Sequence, residues 1–201
     1  MWRKLVFASC LTICCLATMG TPSSPQDSSG LQPREKFSAL AYLPGVAGTR
    51  MTVPGTMTNL DIIIDSYSTG AEGQQLARTL LNDGPDALLK ALENAKSRGK
   101  VSLTGQLDFF ELKLVQSQPT STGRRIVAIS DRPIHFLEPY YPGRSKDYAF
   151  GILELELGSG EKEEGTGTLI YAVTFKVLKG GKVEIENYGF SPVQIKGVRR
   201  L

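Results

Sequence analysis

Leu169, Tyr171, Val173, Phe175 and Val177 are five apolar residues at strictly alternate positions, opposed by Thr168, Thr174 and Lys176. Successive side chains of a strand point to opposite faces, so this spacing describes a half-buried strand; the apolar positions of a helix recur every three to four residues instead. Gly180-Gly181 follows, and beyond it Val183 and Ile185 alternate with Glu184 and Glu186. Paired glycines accept the left-handed dihedrals of a tight turn, which makes the two segments a hairpin. Leu153, Leu155 and Leu157 alternate with Glu154 and Glu156 in the same way, and a solvated loop with Glu161-Lys162-Glu163-Glu164 joins them to the Leu169 strand.

The same pattern extends along the chain. Strands are expected at 37–43 and 57–67, then near 107–116, 124–130, 148–157, 166–178, 182–188 and 193–198. Between 67 and 100 the period changes. Thr69 with Glu72 three residues later has the form of a capping box, and the helix after it carries Leu76 and Leu80 on one line with Ala77 and Leu81 beside them. Asn82-Asp83-Gly84 ends that helix, and Pro85 suits the first position of a second, whose buried side would be Leu88, Leu89, Leu92 and Ala95. Gly99 is read as the cap after Arg98. Together these features predict an α+β fold: a mainly antiparallel meander with an interrupted helical pair packed on one face. The leucines of the helices are taken to demand a substantial partner surface, which disfavours a regular β-sandwich.

The N-terminus reads as an export signal. Arg3 and Lys4 precede a run, Leu5 to Leu16, that only Ser9 and Thr12 interrupt, and this run is far shorter than the roughly 20 apolar residues of a membrane-spanning helix. Cleavage near Gly20 is expected, leaving a flexible leader at 21–36, a single domain at 37–201 and no membrane span in the mature chain. The protein is therefore placed outside the cytoplasm, secreted or periplasmic. All three cysteines, Cys10, Cys14 and Cys15, fall in the signal, so the mature chain has neither disulfides nor thiol chemistry. Removing Arg3 and Lys4 leaves 21 basic residues against 20 acidic ones, a net charge of +1 with no basic stripe, and nucleic acid is not an expected partner.

Catalytic chemistry is scarce. The one histidine, His135, rules out a two-histidine zinc motif, and no serine sits in a nucleophile elbow. No metal or cofactor is implied. The densest collection of aromatic, charged and turn-forming residues is the 131–144 segment, where Arg132, Tyr140, Tyr141 and Arg144 are candidate ligand-binding residues, since rigid aromatics and arginines anchor contacts at low entropic cost. His135, Glu138 and Asp147 are weaker candidate acid-base groups. Asp61, Asp65, Asp108 and Glu111 are further carboxylates able to pair across a cleft, as in glycosidases. The reading is a non-catalytic ligand-binding, interaction or structural domain whose partner is an envelope component or a small ligand. The alternative is a hydrolase acting on an envelope carbohydrate or peptide through a carboxylate pair.

Several segments taken together carry a resemblance: Ile62-Ile63-Ile64-Asp65-Ser66-Tyr67-Ser68-Thr69, Gly84-Pro85-Asp86-Ala87-Leu88-Leu89-Lys90-Ala91-Leu92, Gly123-Arg124-Arg125-Ile126-Val127 ahead of Asp131-Arg132-Pro133-Ile134, and Ile185-Glu186-Asn187-Tyr188-Gly189 with Pro192-Val193. Over about residues 37–198 the chain resembles a family of uncharacterised exported bacterial proteins. The resemblance implies an exported bacterial single domain and no activity, cofactor or catalytic set. His135 departs from that pattern.

Overall fold

In a computed structural model that describes residues 34–43, 46–47, 52–53, 56–134, 147–160, 164–187 and 191–201, antiparallel strands wrap into one nearly closed barrel. The strands are β1 (Glu35–Leu43), β4 (Thr56–Ile64), β5 (Gly99–Leu103), β6 (Phe109–Leu112), β7 (Leu114–Thr120), β8 (Gly123–Ser130), β9 (Phe150–Gly158), β10 (Gly165–Val177), β11 (Val183–Asn187) and β12 (Val193–Arg200). A separate two-stranded ladder joins β2 (Val46–Ala47) to β3 (Thr52–Val53). Helices α1 (Gly70–Asp83) and α2 (Pro85–Glu93) fall between β4 and β5.

The sheet runs β6-β5-β4-β1-β12-β10-β9-β8-β7, with β11 beside β10. Its two ends are halves of one chain segment. β6 pairs with β5, and after a bend at Lys113 β7 pairs with β8. Strands in a barrel tilt and their register staggers, so a long strand leaves one neighbour and joins the next as it climbs. Closure through this bend makes the nine strands of the path eight lines. At that number the interior is just wide enough for side chains to fill, and here Phe37, Leu60, Ile62, Val101, Leu153, Leu155 and Ile195 fill it.

Both ends of the interior are occupied. At one end Ile134, fully buried, enters from the segment after β8, its N–H donating to the Tyr171 carbonyl at 2.8 Å. Gly151 makes room for it: a Cβ there would lie 2.6 Å from Ile134 Cγ1. At the other end stand the inward-facing polar residues described below.

The α+β expectation is corrected to a largely all-β barrel carrying two short helices. The helices do form where expected. Thr69 and Glu72 make the reciprocal capping box, Gly84 stops α1, and Pro85 opens α2. What fails is the weight given to their leucines. Only Leu80, Leu88 and Leu92 are buried in them; Leu76 and Leu89 are partly buried, and Leu81 is 40% exposed. They rest on a limited apolar patch outside the barrel, made by Phe150, Ile152, Val173 and Phe175. The larger core lies inside the sheet and needs no helical cover. Gly99 also differs: α2 ends at Glu93, and Gly99 opens β5, where a Cβ would stand 2.3 Å from the Ile63 carbonyl oxygen. Close approach to β4, not helix capping, is what that glycine serves.

Candidate functional site

The strand period carries the polar end of the interior. Glu35 continues the inward series Phe37, Ala39, Ala41, and Arg124 continues the inward series Ile126, Ala128. Glu35 is only 5% exposed. It receives hydrogen bonds from Arg124 Nη2 at 2.8 Å and from the Tyr67 hydroxyl, while Arg200 Nη2 lies 3.3 Å away and Arg124 Nη1 donates to the Tyr67 oxygen at 3.2 Å. Burial pushes the Glu35 carboxyl up, but the hydrogen bonds from Arg124 and Tyr67 and the charges of Arg124 and Arg200 outweigh it, so the group lies below the ordinary carboxylate range. The Tyr67 hydroxyl is raised, by burial first and then by its bond to Glu35. This cluster ties β1, the segment after β4, β8 and β12 together across the lumen. Glu35, Tyr67 and Arg124 pair with one another while the exposed Arg200 adds its charge from the rim, the arrangement of a structural plug.

The outer surface holds an open groove of about 550 Å³ across β12, β1 and β4. Its side chains include Asn59, Asp61, Thr104, Glu164, Lys196 and Arg199. A β-bulge creates it. Ser38 sits opposite Arg199 and Leu40 opposite Lys196, so β12 spends one residue more than β1 over this interval, and β10 meets the same irregularity from the other side. Gly197 takes the extra position at φ 59°, a conformation that favours glycine. As a result Lys196 and Arg199, three apart, are both exposed while Ile195 and Val198 both point inward. Ser38 then faces Asp61 of β4, and Leu40 faces Asn59. Arg199 Nε holds Glu164 Oε1 at 3.0 Å.

Of the candidate ligand-binding and acid-base residues of the 131–147 stretch, Arg132 and Asp147 are described. Arg132 donates from Nη2 to the Phe109 carbonyl at 2.7 Å and lies 5.0 Å from the centre of the Phe110 ring, bracing β6. Asp147 is exposed at the approach to β9. His135, Glu138, Tyr140, Tyr141 and Arg144 lie outside the described residues. Among the further carboxylates, Asp65 pairs with Arg34 at 2.8 Å and Glu111 with Lys113 at 2.9 Å, Asp108 is exposed in the β5–β6 turn, and Asp61 alone of the four enters the groove.

Sequence reasoning missed both polar arrangements. Glu35 falls in the stretch read as leader, although it keeps the alternation of Phe37, Ala39 and Ala41. The bulge had a legible mark: a glycine interrupting Val193, Ile195 and the following apolar position of a strand.

No protein-family model, no curated protein and no solved structure matches this chain. Among the described residues no helix is long and apolar enough to cross a membrane.

Proposed function

We propose that this protein is a non-catalytic extracytoplasmic domain that binds an envelope component or small ligand through the groove over β12, β1 and β4. The observation that carries this reading is the Gly197 bulge, which turns Lys196 and Arg199 onto one outer face beside Asn59 and Asp61. Bulges re-aim side chains at the cost of ladder hydrogen bonds, and here the result is an open groove, with polar and charged side chains among its lining, on a barrel whose interior is filled. A donor, an acceptor and a cation converging on one concavity suit a hydroxyl-rich or zwitterionic ligand. The cationic start and short apolar run at residues 3–16 support the extracytoplasmic setting. The 132–144 segment, with Arg132, Tyr140, Tyr141 and Arg144, is the second candidate surface.

The hydrolase alternative has one observation in its favour, since Asp61 and Glu164 line the same groove. Against it, Glu164 is held by Arg199. Thermal-shift screening with soluble envelope carbohydrates and peptides tests the choice. Binding through the groove predicts that a stabilising ligand loses its effect on the Asp61→Ala and Lys196→Ala variants while Tyr140→Ala and Arg144→Ala keep it; equal stabilisation of all four rejects the groove. Cleavage of a ligand that stops in Asp61→Asn would replace the non-catalytic reading with the hydrolase.

A further inference from the structure

The β10–β11 hairpin extends beyond the barrel. β9 accompanies β10 only as far as Val173 and β12 only along Gly165 to Leu169, so among the described residues Thr174 to Val177 pair with β11 alone. The register sets Phe175 opposite Ile185 and Val177 opposite Val183, which puts all four on one face. Phe175 is buried against Phe150, with ring centroids 5.0 Å apart. The others continue that apolar face into solvent: Val177 is 38% exposed, Val183 37% and Ile185 51%, with Leu178 at 41% beside the turn. The turn itself is Lys179-Gly180-Gly181-Lys182, both glycines at positive φ, closed by the Leu178 N–H donating to the Lys182 carbonyl at 2.8 Å.

Two features decide what this surface fits. A two-stranded ribbon is marginal in water by itself, so the exposed Val177, Val183 and Ile185 on one side of it, with Leu178 beside the turn, form a patch in want of cover. Among the described residues the outer edge of β11 has no ladder partner, and it does not offer strand addition to a second copy. Antiparallel pairing about Ile185 would bring Glu184 of each copy against Glu186 of the other, and such charges protect an edge. The tip, in contrast, carries two lysines with no acid before Glu184, while Lys176 and Glu186 neutralise one another further back. Apolar side chains led by cations match the interface of an anionic bilayer, where the apolar groups enter the acyl boundary and lysine stems reach back to the headgroups.

We propose that the β10–β11 hairpin is a membrane-docking finger: Val177, Leu178, Val183 and Ile185 enter the surface of an anionic lipid bilayer, and Lys179 and Lys182 contact its phosphate headgroups. This is independent of the groove and of any ligand held there.

Cosedimentation of the exported chain with lipid vesicles tests it. Wild type should bind phosphatidylglycerol-rich vesicles, bind phosphatidylcholine vesicles far more weakly, and lose binding as salt is raised. The Lys179→Ala/Lys182→Ala pair should lower the partition coefficient roughly 25-fold, about fivefold per lysine. Val183→Ser/Ile185→Ser should lower it to a similar degree, and Lys100→Ala, on β5 four positions from β10 in the strand order, should leave it unchanged. Thermal melts confirm that each variant is folded; Leu178→Ser, beside the turn, replaces any strand variant that is not. Failure to sediment with anionic vesicles, equal binding to both vesicle types, or wild-type binding by the Lys179/Lys182 variant would overturn the proposal. So would a concentration-dependent dimer abolished by Ile185→Ser, which would assign the patch to a second copy of the chain.

Discussion

At the scale of single residues, the inward end cluster makes the stability of the barrel depend on pH. Glu35 titrates below its ordinary value of 4.5 in the folded protein. A group depressed by folding contributes stability that is fully present above its unfolded value and is lost as pH falls through the folded one. Acid unfolding should therefore begin below about pH 4.5 in wild type, whereas Glu35→Gln should be less stable at neutral pH and flatter across that acid range. The expected loss at neutral pH is about 2–3 kcal/mol, since a charge-assisted pair in a nearly closed interior is broken and Arg124 is left facing a neutral amide. Denaturant melts of both proteins at pH 7 and pH 3 measure the difference, and parallel curves would show that Glu35 is not the acid-sensitive group. At the other end of the interior, Gly151→Ala should cost about 1–3 kcal/mol by pressing on Ile134. Combining it with Ile134→Ala should cost less than the two separate losses added together, because the second change removes the clash.

At the scale of elements, the helices are surface features that cover one outer patch of the sheet. Leu92→Ala and Leu80→Ala should each cost about 2–4 kcal/mol, as buried leucines do, and Leu81→Ala should cost less than about 0.5 kcal/mol. Chemical-denaturation midpoints compare the three directly; an equal loss at Leu81 would restore a broader helical layer. Much at this scale was legible in the sequence. Thr69 and Glu72 announced the start of α1, Gly84 and Pro85 the break, and the alternation from Leu169 to Val177 the strand that pairs with β9, β11 and β12. These signals are local: each depends on residues three or four apart, or on strict alternation. The fate of Gly99 was not legible, because a glycine beside a helix end and a glycine against a neighbouring strand look alike until Ile63 is seen next to it. The burial of Leu76 and Leu89 was overestimated for the same reason, since a helical stripe shows which side faces inward and not how much surface it meets.

At the scale of the whole molecule, closure depends on contacts between the ends of the chain. β1 pairs with β12, and β6 continues into β7 through the Lys113 bend, so the sheet returns to itself at both seams. Neither seam is written in a local pattern: alternation marks a strand and is silent about which strands meet, and the stagger that lets 109–112 and 114–120 join different neighbours is a property of the barrel. The missed groove follows from this, because Asp61 and Lys196 are brought onto one face only by the β4-β1-β12 order. If closure is what holds the barrel, removing β12 should be far more damaging than its length implies. Without residues 193–201 the edges of β1 and β10 lose their ladder partners, Val193, Ile195 and Val198 leave the core, and Glu35 loses Arg200. A chain ending at Pro192 should therefore show no cooperative thermal transition and should expose apolar surface to a hydrophobic dye. Supplying residues 193–201 as a separate peptide should restore part of the transition by reoccupying the gap between β1 and β10. A truncated chain that melts cooperatively near the wild-type temperature would show instead that the open sheet stands by itself, with β12 only an added edge.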